Sequence, residues 1–229
     1  MTRPAERPRA VLLDYGGTLD GDARHWFDHF VELYARAGTA LPADVLKPAF
    51  YLADDELARV PGIESFGLVA MTETHVRLQL AALGRRDDGL ARRLVEAFVA
   101  DTRAAWDRNR PLLAWLAERY RLGVVSNSYG NMPALLADGD LGPFEIVVDS
   151  ATAGVRKPDP AIYQLAARRL ALPPETIVHV GDSWERDVVP ARRIGMGAAW
   201  LARPDAVMPD APAGVVRLDS LLELREHLA

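Results

Sequence analysis

Cysteine is absent from this 229-residue chain. That excludes a disulfide framework, a thiolate nucleophile and a cysteine-ligated zinc site. Apolar runs are short, and none approaches the roughly 20 residues of a membrane-spanning helix. The opening MTRPAERPRA carries charge, with no apolar stretch behind it long enough for a signal peptide. The expectation is a cytoplasmic protein without a membrane partner. Positive charge is also in deficit. The formal net charge is −5, which argues against nucleic acid as the main partner. Lysine is scarce: of 27 basic residues only Lys47 and Lys157 are lysines, so each is a candidate for a role that arginine does not fill. There are no internal repeats and no low-complexity tracts.

What remains is an ordinary globular balance, 49% apolar and 26% charged. Its organising stretch is VLLDYGGTLD, Val11 to Asp20. Three branched apolar residues run into Asp14, then Gly16, Gly17 and Thr18. An apolar run closed by turn residues predicts a short strand buried on both faces. A carboxylate at its end would lie at the rim of a parallel sheet, where doubly wound folds place ligands.

From 21 to 106 the pattern is helical. Trp26, Phe27, Phe30, Val31 and Tyr34 form one stripe, with Asp22 the expected N-cap and Gly38 the stop. Pro42–Ala58 is weaker, because Pro48 should lie in a first turn or break the helix. Arg59–Gly67 reads as a loop. Leu68–Leu83 and the stripe Leu90 to Trp106 complete a small bundle. From 107 strands and helices alternate. Pro111–Tyr120 is predicted helical with its proline in the first turn. Leu122–Ser126 is extended, Asn131–Ala137 helical and Ile146–Asp149 extended. A helix follows Asp159-Pro160 to about Ala171. Thr176–Val180, Trp184–Ile194, Gly197–Leu201, Val215–Leu218 and Ser220–Leu228 continue the alternation, around an irregular surface loop at 203–214. Such alternation implies right-handed crossovers and a parallel sheet. The fold class expected is α/β: a doubly wound parallel sheet formed by residues 1–20 and 107–229, with residues 21–106 inserted after the first strand as a helical lid.

Polar residues stand where those strands end. They are Asp14, then Ser126 and Asn127 in VVSNS, then Asp182 in VHVGDSWERD with Asp187 five residues on. Lys157 stands in GVRKPDPAIY. In a parallel sheet these ends converge on one edge. Two acids, a hydroxyl, a lysine and several turn amides describe a site for an oxyanion and a hard cation. Asp14 and Asp182 suit magnesium, which takes oxygen ligands. Ser126 and backbone N–H groups suit phosphate oxygens. Lys157 would keep Asp14 ionised by the opposite-charge effect.

In order and spacing, Asp14-Tyr15-Gly16-Gly17-Thr18-Leu19, Ser126-Asn127, Lys157-Pro158-Asp159-Pro160 and Gly181-Asp182 with Asp187 resemble the four motifs of the haloacid dehalogenase-like hydrolases. The helical insertion resembles the cap of the phosphoglycolate phosphatase-like subclass. The resemblance implies a Rossmann-like core and a magnesium-dependent phosphatase acting on a small phosphorylated metabolite, as a monomer or homodimer. It implies that Asp14 is the nucleophile, forming an aspartyl-phosphate. Ser126 and the amide of Asn127 would bind the transferring group. Lys157 would neutralise charge in the transition state. Asp14, Asp182 and the carbonyl of Gly16 would hold Mg2+, and Asp187 would orient Lys157 or a metal-bound water.

Gly16 departs from the pattern, since phosphatases of that family carry there a second aspartate that serves as general acid and base. Losing such a group costs about a hundred- to ten-thousandfold in rate. The loss should be largest for alcohol leaving groups and small for acyl or aryl phosphates. Asp20 is a candidate replacement. The family resemblance also admits C–halogen cleavage and C–P cleavage, the latter through a cap lysine for which Lys47 is the one candidate. A further alternative is a degenerate, ligand-binding member with negligible turnover. Trp26 and His179 are expected in apolar cores, Ser183 as the cap of the helix at 184, and Pro190 as a bend or shortening of that helix.

Overall fold

The computed structural model of the chain describes residues 8–207, 209 and 213–228. The charged opening segment and part of the loop 203–214 lie outside the described residues. The strands are β1 (Ala10–Leu13), β2 (Arg121–Ser126), β3 (Ile146–Asp149), β4 (Ile177–Gly181), β5 (Gly197–Leu201) and β6 (Val215–Leu218). They form one parallel sheet in the order β3-β2-β1-β4-β5-β6. Chain order thus reverses beside β1, the arrangement that opens a crevice at the carboxyl ends of the strands.

β1 is central and wholly buried. Successive side chains of a strand face opposite sides of the sheet. Accordingly Val11 and Leu13 enter one apolar cluster, and Ala10 and Leu12 enter another. Each buried Val or Leu stabilises by roughly 1.5–3 kcal/mol, so a strand of four residues is held firmly from both faces. Register places Leu13 beside Val124 of β2 and Val180 of β4. Asp14, Ser126 and Asp182 therefore leave the sheet on the same edge.

Between β1 and β2 run four helices: α1 (Trp26–Arg36), α2 (Ala43–Leu57), α3 (Leu68–Ala82) and α4 (Asp88–Ala117). Three local expectations are corrected here. Asp22 does not cap α1. The N-cap is His25, whose Nδ1 accepts from the amide of Phe27, while Asp22 pairs with Arg108 at the surface. α2 runs unbroken through Pro48, which is exposed. The two helices expected either side of residue 107 are one 30-residue helix with Pro111 inside it. A proline in a helix interior costs about 3 kcal/mol. In α4 the buried stripe of Trp106, Asn109, Leu112, Leu113 and Leu116 continues on both sides of Pro111, and its burial outweighs that cost.

Beyond β2 come α5 (Met132–Asp138), a single turn α6 (Ser150–Ala153) and α7 (Ala161–Leu170). The segment expected as one helix from Trp184 to Ile194 is divided. Trp184–Val188 forms a wider π-type turn, and α8 (Val189–Arg193) starts afresh with Pro190 in its first turn. Ser183 caps the turn as expected, accepting from the amide of Arg186. A short α9 (Leu224–Leu228) closes the described chain. No helix among the described residues is long and apolar enough to cross a membrane.

Candidate active site

Asp14 sits at the end of β1 with its backbone N–H donating to the carbonyl of Val180, 2.8 Å. Its carboxylate is spanned on both oxygens. Oδ1 accepts from the amide of Tyr15 at 2.6 Å and from Ser126 Oγ at 2.7 Å. Oδ2 lies 2.8 Å from Lys157 Nζ. The group is 6% exposed, so it is fixed in one orientation while still reaching the cavity.

Lys157 is itself buried and also bonds Asp187 Oδ1 at 2.7 Å. Burial alone would lower its pKa. The charges of Asp14 and Asp187 outweigh burial, and the ammonium is held above its ordinary range. Asn127 places it: the Asn127 amide donates to the Lys157 carbonyl, and its oxygen accepts from the Lys157 N–H. Asn127 thus spends its side chain on the neighbouring loop.

Asp187 is fully buried and accepts from Lys157, from the amide of Ser183 at 3.0 Å and from His179 Nε2 at 3.1 Å. Burial would raise its pKa, but Lys157 and His179 hold it well below the usual carboxylate range. Pro190 takes part in this arrangement. Its missing N–H leaves the carbonyl four residues earlier, that of Arg186, without a helical donor. That carbonyl accepts instead from Tyr163 Oη at 2.7 Å. The same hydroxyl lies 3.4 Å from both Asp187 Oδ1 and His179 Nε2. His179 is buried, as expected, and its Nε2 is spent on the acid behind Lys157.

Asp182 follows β4 and lines the cavity. Its pKa is pushed well up, by burial first and then by the charges of Asp187 and Asp14. Carboxylate oxygens of Asp14, Asp182 and Asp187 lie within 4.8 Å of one another. Three hard oxygen donors crowded so closely, two buried and Asp182 half-buried, fit a divalent cation, whose charge would relieve their repulsion. Two glycines make the approach possible. A Cβ on Gly17, whose φ is +77°, would stand 2.4 Å from Asp182 Oδ2. A Cβ on Gly181 would stand 2.3 Å from the carboxyl carbon of Asp187. Gly16 also lines the cavity. A Cβ there would meet nothing closer than Trp26 Nε1, at 3.7 Å.

Asp20 does not reach the cavity. It is 4% exposed, and its oxygens accept from the amide of Gly17 at 2.7 Å and from Trp26 Nε1 at 2.6 Å. Burial pushes its pKa up to about 7. It closes the turn after β1 and anchors Trp26, a role that differs from the replacement acid considered from sequence. Trp26 is likewise not a plain core residue: it packs edge-on to Phe98 and lines the cavity. Lys47 is exposed and stands apart from the residues lining the cavity.

The cavity, about 370 Å³, lies between this edge and the helices after β1. His25, Trp26, Phe50, Asp54 and Ala58 line it from the helical side. Tyr129, Arg156 and Arg186 line it from the segments that follow the strands, and Met132 from the start of α5. Sequence reasoning missed Asp54, Tyr129 and Arg186. Position gave a usable hint for two of them: Tyr129 follows Ser126 by three residues, and Arg186 stands between Asp182 and Asp187.

A family model described as haloacid dehalogenase-like hydrolase matches residues 8–195. Among curated proteins, haloacid dehalogenase-like hydrolase domain-containing protein 3 of Danio rerio is 37% identical over 100 residues, 43% of this chain and 41% of that protein. The phosphoserine phosphatase of Thermus thermophilus is 33% identical over 143 residues, 56% of this chain and 55% of that protein. The 5-amino-6-(5-phospho-D-ribitylamino)uracil phosphatase YigB of Escherichia coli is 40% identical over 94 residues, 41% of this chain and 37% of that protein. The chain thus spans about half or less of these relatives. Among solved structures, the HAD-hydrolase YfnB from Bacillus subtilis is 22% identical with a TM-score of 0.59, covering 97% of this chain and 99% of that one. The L-2-haloacid dehalogenase PA0810 is 22% identical with a TM-score of 0.61, covering 96% and 98%. At such identity these two show the fold alone.

Proposed function

The chain belongs to the haloacid dehalogenase-like hydrolases, and we propose that within them it is a magnesium-dependent phosphohydrolase acting on a small phosphorylated metabolite. One observation carries this reading. The carboxylate at the end of the central strand is aimed by Ser126 and Lys157 into a cavity lined also by Asp182, with Asp187 directly behind. Relatives named as phosphatases of phosphoserine and of a phosphorylated ribitylamino-uracil support it.

In this reading Asp14 attacks phosphorus and displaces the leaving group, giving an aspartyl-phosphate that water then hydrolyses. Ser126 Oγ and the amide of Asn127 would hold phosphoryl oxygens. Lys157 would offset charge building on them, at a point where burial makes a fixed charge most effective. Asp14, Asp182 and the Gly16 carbonyl would hold magnesium, with Asp187 oriented alongside. When bound, the ion supplies positive charge beside the transferring group. Helices α1 to α4 would act as a lid that excludes water and selects the substrate.

Gly16 limits the chemistry. It supplies no proton to a departing oxygen, and Asp20 is turned away from the cavity with both oxygens engaged. Acyl or aryl phosphates, whose leaving groups need little protonation, should therefore be turned over better than alkyl esters. The same glycine favours a second reading, a ligand-binding member with negligible turnover. A phosphate-release screen with magnesium over aryl, acyl and sugar phosphates separates them. Turnover above that of Asp14→Asn supports hydrolysis. Its absence throughout, with ligand binding retained, supports the second reading.

A further inference from the structure

Asp54 is a carboxylate that the proposed phosphoryl chemistry does not use. It lies on α2, 33% exposed, in the wall of the same cavity as Asp14. One oxygen has two polar neighbours. Oδ1 accepts from Tyr129 Oη and lies 3.4 Å from His75 Nε2. His75 is fixed in turn: its Nδ1 lies 2.7 Å from Gln79 Nε2, and its ring packs between Phe30 and Phe50. Nε2 faces Asp54 at that 3.4 Å separation, with no hydrogen bond between them. Burial would raise the Asp54 pKa, but the His75 and Tyr129 contacts hold it below the ordinary carboxylate value. The group is an anion at neutral pH.

No lysine or arginine among the described residues pairs with it, and no hydrogen bond among them reaches Oδ2. Nor does it belong to a cation cluster. The group of acids close enough to share an ion among the described residues is Asp14, Asp182 and Asp187. The cavity wall it shares is mixed: Phe50, Ala58, Met132 and Leu135 supply apolar surface, and His25 and Asp55 supply polar groups. An anion with one oxygen engaged and the other open to the cavity is placed to accept from a ligand donor that displaces water there. Tyr129 also ties this acceptor to the loop that carries Ser126, three residues upstream. Asp54 is thus held at a set distance from where a phosphoryl group would sit.

We propose that Asp54 is a specificity-determining residue that selects phosphoesters whose leaving group carries a hydroxyl or ammonium donor. The ligand donor bonds Oδ2, while Tyr129 keeps Oδ1 occupied and the carboxylate oriented. The inference rests on the phosphohydrolase reading for the identity of the phosphoryl end, and it makes its own statement about the other end.

The test uses matched esters: 2-aminoethyl phosphate, glycerol phosphate and donor-free propyl phosphate. Binding to the magnesium-loaded wild type and to Asp54→Asn is followed by isothermal titration calorimetry, and turnover by phosphate release. The expected result is that wild type prefers one or both donor-bearing esters over propyl phosphate by tenfold or more, and that Asp54→Asn lowers this ratio to within about twofold of one. The aminoethyl and glycerol arms distinguish ammonium from hydroxyl. A ratio unchanged by Asp54→Asn, or no preference in wild type, overturns the inference. Donor preference that depends on Asp54 in binding, with no phosphate released from these esters or from aryl and acyl phosphates, overturns hydrolysis and leaves the inference standing. Far-UV circular dichroism with Asp54→Ser as a second variant separates loss of the acceptor from misfolding.

Discussion

Replacing Lys157 by methionine removes one charge and keeps most of the buried stem. In the wild type the ammonium lies 2.8 Å from Asp14 and 2.7 Å from Asp187, with both side chains nearly inaccessible. Without it two carboxylates face each other, with Asp182 close by, and have lost their only shared cation among the described residues. Removing one partner of a buried ion pair costs about 3–5 kcal/mol, because the other charge is left uncompensated. For a chain of this size 1 kcal/mol shifts the melting temperature by roughly 2–4 °C. Thermal unfolding of Lys157→Met in metal-free buffer at pH 7.5 should therefore begin about 6–20 °C below wild type. The pH dependence has a fixed sign. The Asp187 carboxyl is depressed in the fold, so its contribution is present above about pH 4, the ordinary carboxylate pKa, and is lost as pH falls further. The Lys157 ammonium is raised, so its contribution is present below about pH 10.4 and is lost only as pH rises beyond it. The gap between variant and wild type should thus be widest at neutral to mildly alkaline pH and close in acid, where the freed carboxylates protonate. A shift under about 3 °C at pH 7.5, or a gap that widens in acid, refutes the reasoning.

Gly16→Asp should raise kcat/KM for alkyl phosphates at least tenfold and change aryl phosphates little, since a Cβ at 16 meets only Trp26 Nε1 at ordinary contact distance; steady-state phosphate release with both classes checks it. Asp20 is raised from 3.8 to about 7, so the folded state holds an extra proton between those values and wild-type stability should fall there as pH rises, by up to about 1.4 kcal/mol per pH unit. Asp20→Asn should flatten that slope in urea denaturation between pH 4 and 7. Saturating magnesium should raise the wild-type melting temperature, by about 2.7 kcal/mol of added stability at a hundredfold excess over Kd, and Asp182→Asn should lose most of this gain in differential scanning fluorimetry.

The sheet was readable because buried parallel strands announce themselves locally. VLLD, VVSN and VHVGD are apolar runs that stop at a polar residue, and register alone then brings those residues to one edge. Helix boundaries were less readable. Asp22 has the chemistry of a cap, but its partner Arg108 is 86 residues away and takes it to the surface, while His25 does the capping. Pro111 signals a helix start locally, yet a buried stripe continuous through α4 carries the helix past it. The cavity wall was least readable of all. Asp54 meets Tyr129 across 75 residues, and no spacing rule links the two.

Pro190 shows how one backbone defect reaches the site. A proline in the helix after β4 frees the Arg186 carbonyl, and Tyr163 fills it. The local widening at Trp184–Val188 turns Asp187 inward, beneath β4, to a point that only the absence of a side chain at Gly181 leaves open. There Asp187 accepts from His179 and Ser183 and holds Lys157, which in turn holds Asp14. The links behind Lys157 are buried and the last, to Asp14, opens on the cavity, and each fixes the next. The position of the central carboxylate is thereby set from both sides of the sheet edge: by Ser126 on β2, and by a proline-broken helix acting through Asp187 and Lys157. A straight helix from Trp184 to Ile194 would close the Arg186 carbonyl with an ordinary amide and leave Tyr163 without that acceptor. The irregular turn is therefore part of what orients Asp14, and its sequence signature is a proline at the seventh position of an otherwise regular amphipathic segment.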